Sequence, residues 1–261
     1  MKKYLTIAKA EWLDAIQSYQ EVILWIIIQS LPILVMGVLW SSSGASLSAA
    51  KISYLVSYYI VIFLVDRLTS FYFEKNLQDE IREGTFSRYL LKPVMVQKYL
   101  IWAGLGGKLF NSIFLLFPIM LIISTVFSGY LVIPNLLYLC LFVVSLISAF
   151  FIQFSMSILV TSVAFFIEQA FAFNHLHWML DAVAGGYMLP LTFYPKILGN
   201  FFGFLPFACV YFVPVNIFTG QFPVEIASQK IGVSVFWAIT LYIFSNFVWR
   251  TGIKRYSSVG G

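Results

Sequence analysis

Residues 109–167 read LFNSIFLLFPIMLIISTVFSGYLVIPNLLYLCLFVVSLISAFFIQFSMSILVTSVAFFI, a run of 59 residues that contains no Asp, Glu, Lys or Arg. One helix crosses the hydrocarbon core of a bilayer in about 20 apolar residues. The run is therefore too long for a single span. It predicts two spans joined by a tight turn at residues 128–134, which begin with Ser-Gly and end with Pro.

The rest of the chain has a similar composition. Of 261 residues, 61% are hydrophobic and 10% are charged, whereas about 25% of a soluble domain is charged. So few charges could not cover a water-exposed surface, which excludes a soluble enzyme and a disordered protein. The net charge of +5 does not indicate nucleic-acid binding, because the basic residues flank apolar runs and form no long stripe.

Six transmembrane helices are expected, which makes this an all-α polytopic membrane protein. Apolar runs outside residues 109–167 supply the other four spans, at Val22–Trp40, Ile52–Phe73, Phe171–Leu189 and Ile231–Trp249. We expect residues 1–261 to form a single transmembrane domain, because the loops are too short to hold a second domain.

Two segments beside the spans are expected at the membrane surface or partway into it. Residues 1–20 repeat apolar side chains at three- and four-residue spacing, which predicts an amphipathic helix along the inner interface. Residues 190–225 are apolar, but prolines interrupt them too often for a full span. These prolines are Pro195, Pro206, Pro214 and Pro223. We expect an outer re-entrant hairpin here, before the last span.

The positions of Lys and Arg predict the orientation. With the N-terminus inside, the inner segments hold 12 of these residues and the outer segments hold 3. Cytoplasmic loops carry the excess of positive charge. Both termini are therefore expected in the cytoplasm and the chain in the cell membrane.

Residues 76–98 form the only sizeable cytoplasmic loop, and it begins NLQDEIREGTFSRYLLKPV. A short charged helix with exposed aromatic side chains, held between two spans, is suited to dock in a groove on another protein. The alternative is an ordinary solvated loop helix.

Two motifs in this layout carry a family resemblance. Ile81-x-x-Gly84-x-Phe86, followed by Leu90-Leu91-Lys92-Pro93, resembles the cytoplasmic loop of type 2 ABC exporter permeases. A second stretch resembles the outer segment before the last span in one branch of these permeases: Leu205-Pro206-Phe207, Tyr211-Phe212-Val213-Pro214-Val215 and Gly220. The layout of spans agrees over the whole chain, and the motifs cover about 35 residues.

The resemblance implies a permease that works with other chains. Two cytoplasmic ABC ATPase subunits would bind ATP and Mg, and a second permease subunit, identical or related, would complete the pathway. The ATPase-coupling residues would be Asp79, Glu80, Ile81, Arg82, Glu83, Gly84, Thr85, Phe86, Arg88 and Tyr89. In the outer re-entrant segment the residues singled out are Pro206, Phe207, Pro214 and Gly220.

The chain itself is not expected to hydrolyse ATP. A phosphate-binding loop needs G-x-x-x-x-G-K-[ST]. Around Gly107-Lys108 the match fails twice, because Trp102 replaces the first Gly and Leu109 replaces Ser or Thr. We expect the glycines there to allow a bend or close packing, and no cofactor on this chain.

Polar residues inside the predicted spans are the candidates for a substrate pathway, because an ionisable group at bilayer depth costs roughly 2.5–3.5 kcal/mol. These are Asp66, His177 and Asp181. Trp178 is a further candidate, because its ring could line a cavity for an apolar ligand. His177 and Asp181 lie four residues apart on one helix face and could share a hydrogen bond. Both carboxylates also fit plain contacts between helices. No catalytic set and no metal site is expected, and Cys140 and Cys209 form no CxxC.

The leading hypothesis is thus the membrane subunit of an ABC transporter that exports an amphipathic or apolar cargo. An ion-coupled transporter or a channel is an alternative, although coupling ions usually need several intramembrane carboxylates and only Asp66 and Asp181 qualify. An intramembrane enzyme is a further alternative, but neither G-x-S-x-G nor H-E-x-x-H occurs.

Overall fold

The computed structural model describes residues 2–17, 35, 38, 49–126 and 134–256, and no strand occurs within these ranges. The α-helices are α1 (Lys2–Gln17), α2 (Ala49–Thr69), α3 (Glu74–Arg82), α4 (Ser87–Leu90), α5 (Val96–Asn111), α6 (Phe117–Val126), α7 (Leu136–Ser162), α8 (Phe171–Val183), α9 (Lys196–Phe202), α10 (Pro206–Val210), α11 (Phe212–Phe218) and α12 (Val224–Ile253). A π-helical turn at Ser112–Leu116 joins α5 to α6.

Four stretches of the described chain are long and apolar enough to cross a bilayer. They are Ala50–Arg82, Val96–Leu121, Leu136–Phe165 and Val224–Ile253. They overlap the predicted second, third, fourth and sixth spans, so an all-helical membrane protein is confirmed. The third begins at Val96, earlier than expected, and therefore includes Lys98 and Lys108. The predicted first span lies outside the described residues except for positions 35 and 38, and the turn at 128–134 lies outside them except for position 134.

The predicted fifth span differs from what is found. Helix α8 has 13 residues and is therefore about 20 Å long, against about 30 Å of hydrocarbon in a bilayer. It ends before Gly185 and Gly186, and Gly186 has a φ of +80°, a conformation that closes helices. A continuous spanning helix over Phe171–Leu189 was therefore a wrong prediction.

The proline-rich stretch that follows contains several short helices, as its sequence predicts. Lys196–Phe202 and Pro206–Phe218 are together long and apolar enough to cross a membrane, but they are bent by 72°. The bend falls just before Pro206, which occupies the first turn of α10, where its missing N–H costs nothing. A re-entrant loop and a broken span both contain such a bend.

By its contacts the chain forms two units. The first comprises Met1–Leu68, Trp102–Val143 and Pro214–Ala227, and the second comprises Thr69–Ile101, Val144–Val213 and Ser228–Gly261. In the first unit, α1 packs on α5. The Tyr4 ring stacks on Trp102 with centroids 5.8 Å apart, and Trp12 meets Phe110 edge-on at 5.9 Å. A helix thus covers Lys2–Gln17, and aromatic contacts fix one face of it. Its location along the inner interface of the membrane stays a prediction.

Gly106 permits this close packing of α1 on α5. A Cβ at Gly106 would overlap the carbonyl group of Ala8 and lie 2.9 Å from its Cα, whereas a Cβ at Gly107 would meet nothing within 4 Å. Either Gly→Ala change raises helix propensity by about 1 kcal/mol. We expect Gly106→Ala to loosen α1 from α5 and Gly107→Ala to be neutral or stabilising.

Limited proteolysis within α1 measures this difference, with thermal unfolding in detergent as the second readout. Gly107→Ala is the matched control, since it makes the same change one residue away. Equal cleavage rates in the two variants would show that the contact with Ala8 does not hold α1 in place.

In the second unit, the core lies where the segment after α2 meets the ends of α7 and α12. Its buried members are Phe71, Leu77, Ile81, Phe86, Val96, Leu100, Phe154, Ile158 and Trp249. Leu77 and Ile81 lie four residues apart on one face of α3, which is the face turned to this core. Lys75, Asp79 and Arg82 lie on the other side of α3.

Candidate functional site

The most charged stretch of the sequence, residues 74–92, folds into two short helices joined by a tight turn, and we call it the charged segment. Gly84, in the turn, has a φ of +79°, a conformation that Gly adopts without the strain of a Cβ. The Phe86 N–H donates to the Glu80 carbonyl at 3.0 Å. The Arg88 guanidinium forms an ion pair with the Glu80 carboxylate. A backbone hydrogen bond and an ion pair thus hold the two sides of this turn together.

Phe86 anchors the charged segment to the rest of the second unit. Its side chain is 0% exposed. Its ring lies against Phe165, Trp249 and Tyr256, with centroid distances of 5.6, 5.9 and 5.3 Å. The prediction of exposed aromatics was wrong here, because the neighbouring helix ends offer aromatic rings that bury Phe86. Ile81 is buried with it.

A hydrogen-bonded clamp secures the same turn. The Tyr256 hydroxyl donates to the Gly84 carbonyl at 2.6 Å and accepts from the Ser87 N–H at 3.2 Å. Both bonds satisfy backbone groups at a partly buried turn, where leaving them unpaired costs free energy. Tyr256 follows α12, so the turn is fixed to the end of that helix.

The outward surface of the charged segment is polar and includes two leucines. The exposed side chains are those of Lys75, Asn76, Arg82, Glu83, Thr85, Arg88, Leu90, Leu91 and Lys92. Arg82 pairs with Asp79 at 3.4 Å, and Leu91 is 85% exposed. Tyr89 is half-buried and stacks on Phe86. The hydrogen bond to Tyr89 and the charge of Glu80 raise the pKa of Arg88, so its guanidinium stays charged.

A polar seam runs between α3, α7 and α8, and it consists of Glu74, Gln78, Gln153, Ser157, Asn174, His177 and Asp181. At one end, the amides of Gln78 and Asn174 exchange two hydrogen bonds, of 3.1 and 2.9 Å. Gln78 also donates to the Val160 carbonyl at 2.9 Å. The start of the charged segment is thereby bonded to both helices.

The other end of the seam holds its carboxylates. Glu74 accepts a hydrogen bond from Ser157, and Asp181 accepts one from the Gln153 amide at 3.0 Å. His177 Nε2 lies 3.6 Å from the same Asp181 oxygen and has no hydrogen-bond partner among the described residues. The predicted His177–Asp181 hydrogen bond is therefore not formed, because Gln153 binds that oxygen instead.

The other pathway candidates lie outside this seam. Trp178 follows His177 by about 100° around the helix, and its side chain is 62% exposed. In the first unit, Asp66 pairs with its neighbour Arg67, whose Nε donates to the Asp66 carboxylate at 3.1 Å. The Arg67 guanidinium also lies 5.9 Å from the Phe63 ring centroid.

The candidates from the outer segment occupy separate places. In the second unit, Pro206 is buried, and the Phe207 ring lies 6.5 Å from that of His177. In the first unit, Pro214 is buried within α11, and Gly220 ends this stretch with a φ of +68°. A positive φ after a helix is the common glycine ending.

Several polar residues of this site were not singled out from the sequence: Glu74, Gln78, Gln153, Ser157 and Asn174. A signal was available, because Glu74 and Gln78 are four residues apart, as are Gln153 and Ser157. Such spacing places polar groups on one helix face. Polar side chains in apolar helices tend to bond to one another across the interface.

The site presents hydrogen-bonding groups between helices and exposed charges. Within the described ranges, no group of three or more His, Cys, Asp or Glu is placed to hold a metal ion. The seam offers hydrogen bonds between helices, and the charged segment offers a surface of charges and leucines that is attached to α7, α8 and the end of α12.

Comparison with known proteins agrees with this arrangement. The model of the family described as ABC-2 family transporter protein matches residues 26–260. Comparison with curated proteins and with solved structures gives no match. The family match covers the spans, the charged segment and the polar seam together. The chain therefore belongs to the ABC-2 transporter family.

Proposed function

We propose that the chain is the permease subunit of an ABC exporter whose cargo is amphipathic or apolar. ABC-2 membrane proteins are transmembrane components, and family membership implies association with ABC ATPase components. We infer that two cytoplasmic ATPase subunits, holding ATP and Mg, act on this permease and on a second permease subunit, identical or related. The charges favour a cell-membrane orientation with both termini in the cytoplasm.

This proposal rests on how the charged segment is attached to the neighbouring helices. Phe86 and Tyr256 fix its turn to the end of α12, and Gln78 bonds to α7 and α8. A force applied to the exposed residues of the turn would therefore move three helices and not only a loop. Packed interiors of this kind shift between discrete arrangements instead of deforming continuously.

The cargo class rests on the sparse charge of the described spans. The carboxylate of Asp66 is paired with Arg67, and that of Asp181 accepts from Gln153, so neither is offered to a strongly charged cargo. We propose that the polar seam holds helices together, and that the cargo moves along surfaces of mainly apolar side chains. The outer segment around Phe207 would close the pathway on the far side.

Charge reversal at the tip of the charged segment tests the coupling. Glu83 is exposed and forms no ion pair with another described residue. We expect Glu83→Lys to reduce co-purification with the ATPase and cargo-stimulated ATP hydrolysis about tenfold, since a misplaced charge at an interface costs on the order of a kcal/mol or more. The melting temperature of the permease should not change, because the Glu83 side chain is exposed.

Glu225→Lys provides the matched control. Glu225 is exposed in the first turn of α12, on the side that the proposed orientation places outside the cell. It should leave ATPase binding and stimulated hydrolysis at the level of the unmodified chain. Full coupling in Glu83→Lys, or an equal loss in both variants, would show that this segment is not where the ATPase acts.

A further inference from the structure

A cavity of about 470 Å³ opens in the second unit between the start of α5 and the end of α12. One side of it is apolar and includes Leu90, Met95 and Ile253, of which Leu90 and Met95 are exposed. An apolar wall at the end of a spanning helix lies at the depth where hydrocarbon gives way to headgroups.

The remaining lining of this cavity is cationic. Lys98 and Arg250 both line it and are both exposed, and no carboxylate is among its lining residues. Neither cation forms an ion pair with a described residue. A third cation is close by, because the Lys92 ammonium lies 4.7 Å from the ring centroid of Tyr89, which also lines the cavity. The charge of this site is therefore complementary to an anion.

A second cavity, of about 360 Å³, adjoins the first at Tyr242, which lines both. It lies between α7 and α12, and its other lining side chains are apolar except for Ser148. The Ser148 hydroxyl donates to the Val144 carbonyl at 3.1 Å, so it leaves no polar group for a ligand to satisfy. This cavity suits a hydrocarbon chain.

The two cavities match the dimensions of one lipid. From Arg250 to Val235, at the far end of the apolar cavity, α12 runs 15 residues, or about 22 Å at 1.5 Å per residue. One leaflet of a bilayer is about 20–22 Å thick with its headgroups included. A molecule with its anionic group at Arg250 and its chain along α12 would fill both cavities.

We propose that these adjoining cavities form one binding site for an anionic phospholipid. The phosphate contacts Lys98 and Arg250, since guanidinium and ammonium groups form charge-assisted hydrogen bonds with phosphate oxygens. One acyl chain lies between α7 and α12, past Tyr242. Because lipid tails are as apolar as leucine, this groove fixes the position of the lipid and the headgroup provides the selectivity.

Such a lipid would join two parts of the second unit. Lys98 belongs to the first turn of α5, just after the charged segment, whereas Arg250 belongs to the last turn of α12. A phosphate between them neutralises two cations and connects the two helix ends. The site is thus a binding surface for lipid of the surrounding leaflet. This lipid would bind whether or not the exported cargo is itself a lipid.

Native mass spectrometry of the purified full chain in mild detergent tests the site. The probes are dioleoyl phosphatidylglycerol, dioleoyl phosphatidylcholine and inorganic phosphate. We expect tighter binding of phosphatidylglycerol than of phosphatidylcholine. Each basic residue at a membrane surface contributes about fivefold to the affinity for anionic lipid, so Lys98→Gln with Arg250→Gln should weaken phosphatidylglycerol binding roughly 30-fold.

Two further variants separate the parts of the proposal. Lys3→Gln with Lys9→Gln removes two exposed cations of α1 and should leave lipid binding unchanged. Ala238→Phe places a ring in the apolar cavity and should weaken binding of both lipids. The proposal is overturned by equal binding of the two lipids, by unchanged phosphatidylglycerol affinity in the Lys98 and Arg250 variant, or by displacement of phosphatidylglycerol by matched inorganic phosphate.

Discussion

Replacing Phe86 with Ala is expected to destabilise the second unit by about 3–5 kcal/mol, the usual cost of removing a fully buried Phe. The ring is 0% exposed and contacts three other aromatic rings from outside the charged segment. Its removal leaves a cavity that the surrounding rigid rings cannot fill. Thermal unfolding of the purified permease should show a drop in melting temperature on the order of 10 °C.

Two control variants show whether the loss of stability comes from the buried ring. Phe86→Leu keeps most of the volume and should recover more than half of the lost stability. Phe247→Ala makes the same truncation at a ring that is 68% exposed, and we expect it to change the melting temperature by little. If Phe86→Ala melts like Phe247→Ala, the ring does not anchor the segment.

The second large effect concerns the amide pair of the polar seam. Gln78→Leu removes the partner of both amide atoms of Asn174 and leaves the Val160 carbonyl unpaired. Each buried polar group left unsatisfied costs about 1–3 kcal/mol. Asn174→Leu should cost less, since Gln78 retains its bond to Val160. We expect the double variant to be more stable than the sum of the single losses predicts.

A double-mutant cycle on the free energy of unfolding gives the coupling between the two amides, which should exceed 1 kcal/mol. Gln229→Leu is the control, because Gln229 is exposed on α12 and lacks such a partner. Additive losses from Gln78→Leu and Asn174→Leu would contradict the paired arrangement.

Sequence reasoning predicted the membrane architecture because hydrocarbon imposes its own length on a helix. The apolar runs at Ile52–Phe73 and Ile231–Trp249 overlap helical stretches that are long and apolar enough to cross a bilayer, as expected. The run at Phe171–Leu189 is less apolar, because it holds two histidines, Asn174 and Asp181, and its helix ends at Val183. Hydropathy measures the preference for lipid and not helix continuity, and here the glycines after α8 decide where the helix stops.

The candidate site was predicted only in its location. The cluster of charges identified the charged segment. Whether the Phe86 ring is buried, however, depends on its contacts with Phe165, Trp249 and Tyr256, which are distant in sequence. Likewise, no local pattern pairs Gln153 with Asp181. Composition and spacing report the preferences of one helix, whereas these contacts depend on how three helices meet.

The clamp between Tyr256 and Gly84 joins residues separated by 172 positions, and this separation sets an order for biosynthesis. At about 5–20 residues per second, a ribosome needs roughly 10–30 s to make the chain between them. Throughout that interval Phe86 lacks both Trp249 and Tyr256 and is open to chaperones and proteases. A nascent chain would therefore complete the turn at Gly84 only after α12 has been made. If ATPase subunits bind this turn as proposed, they would join completed permeases and pass over unfinished ones.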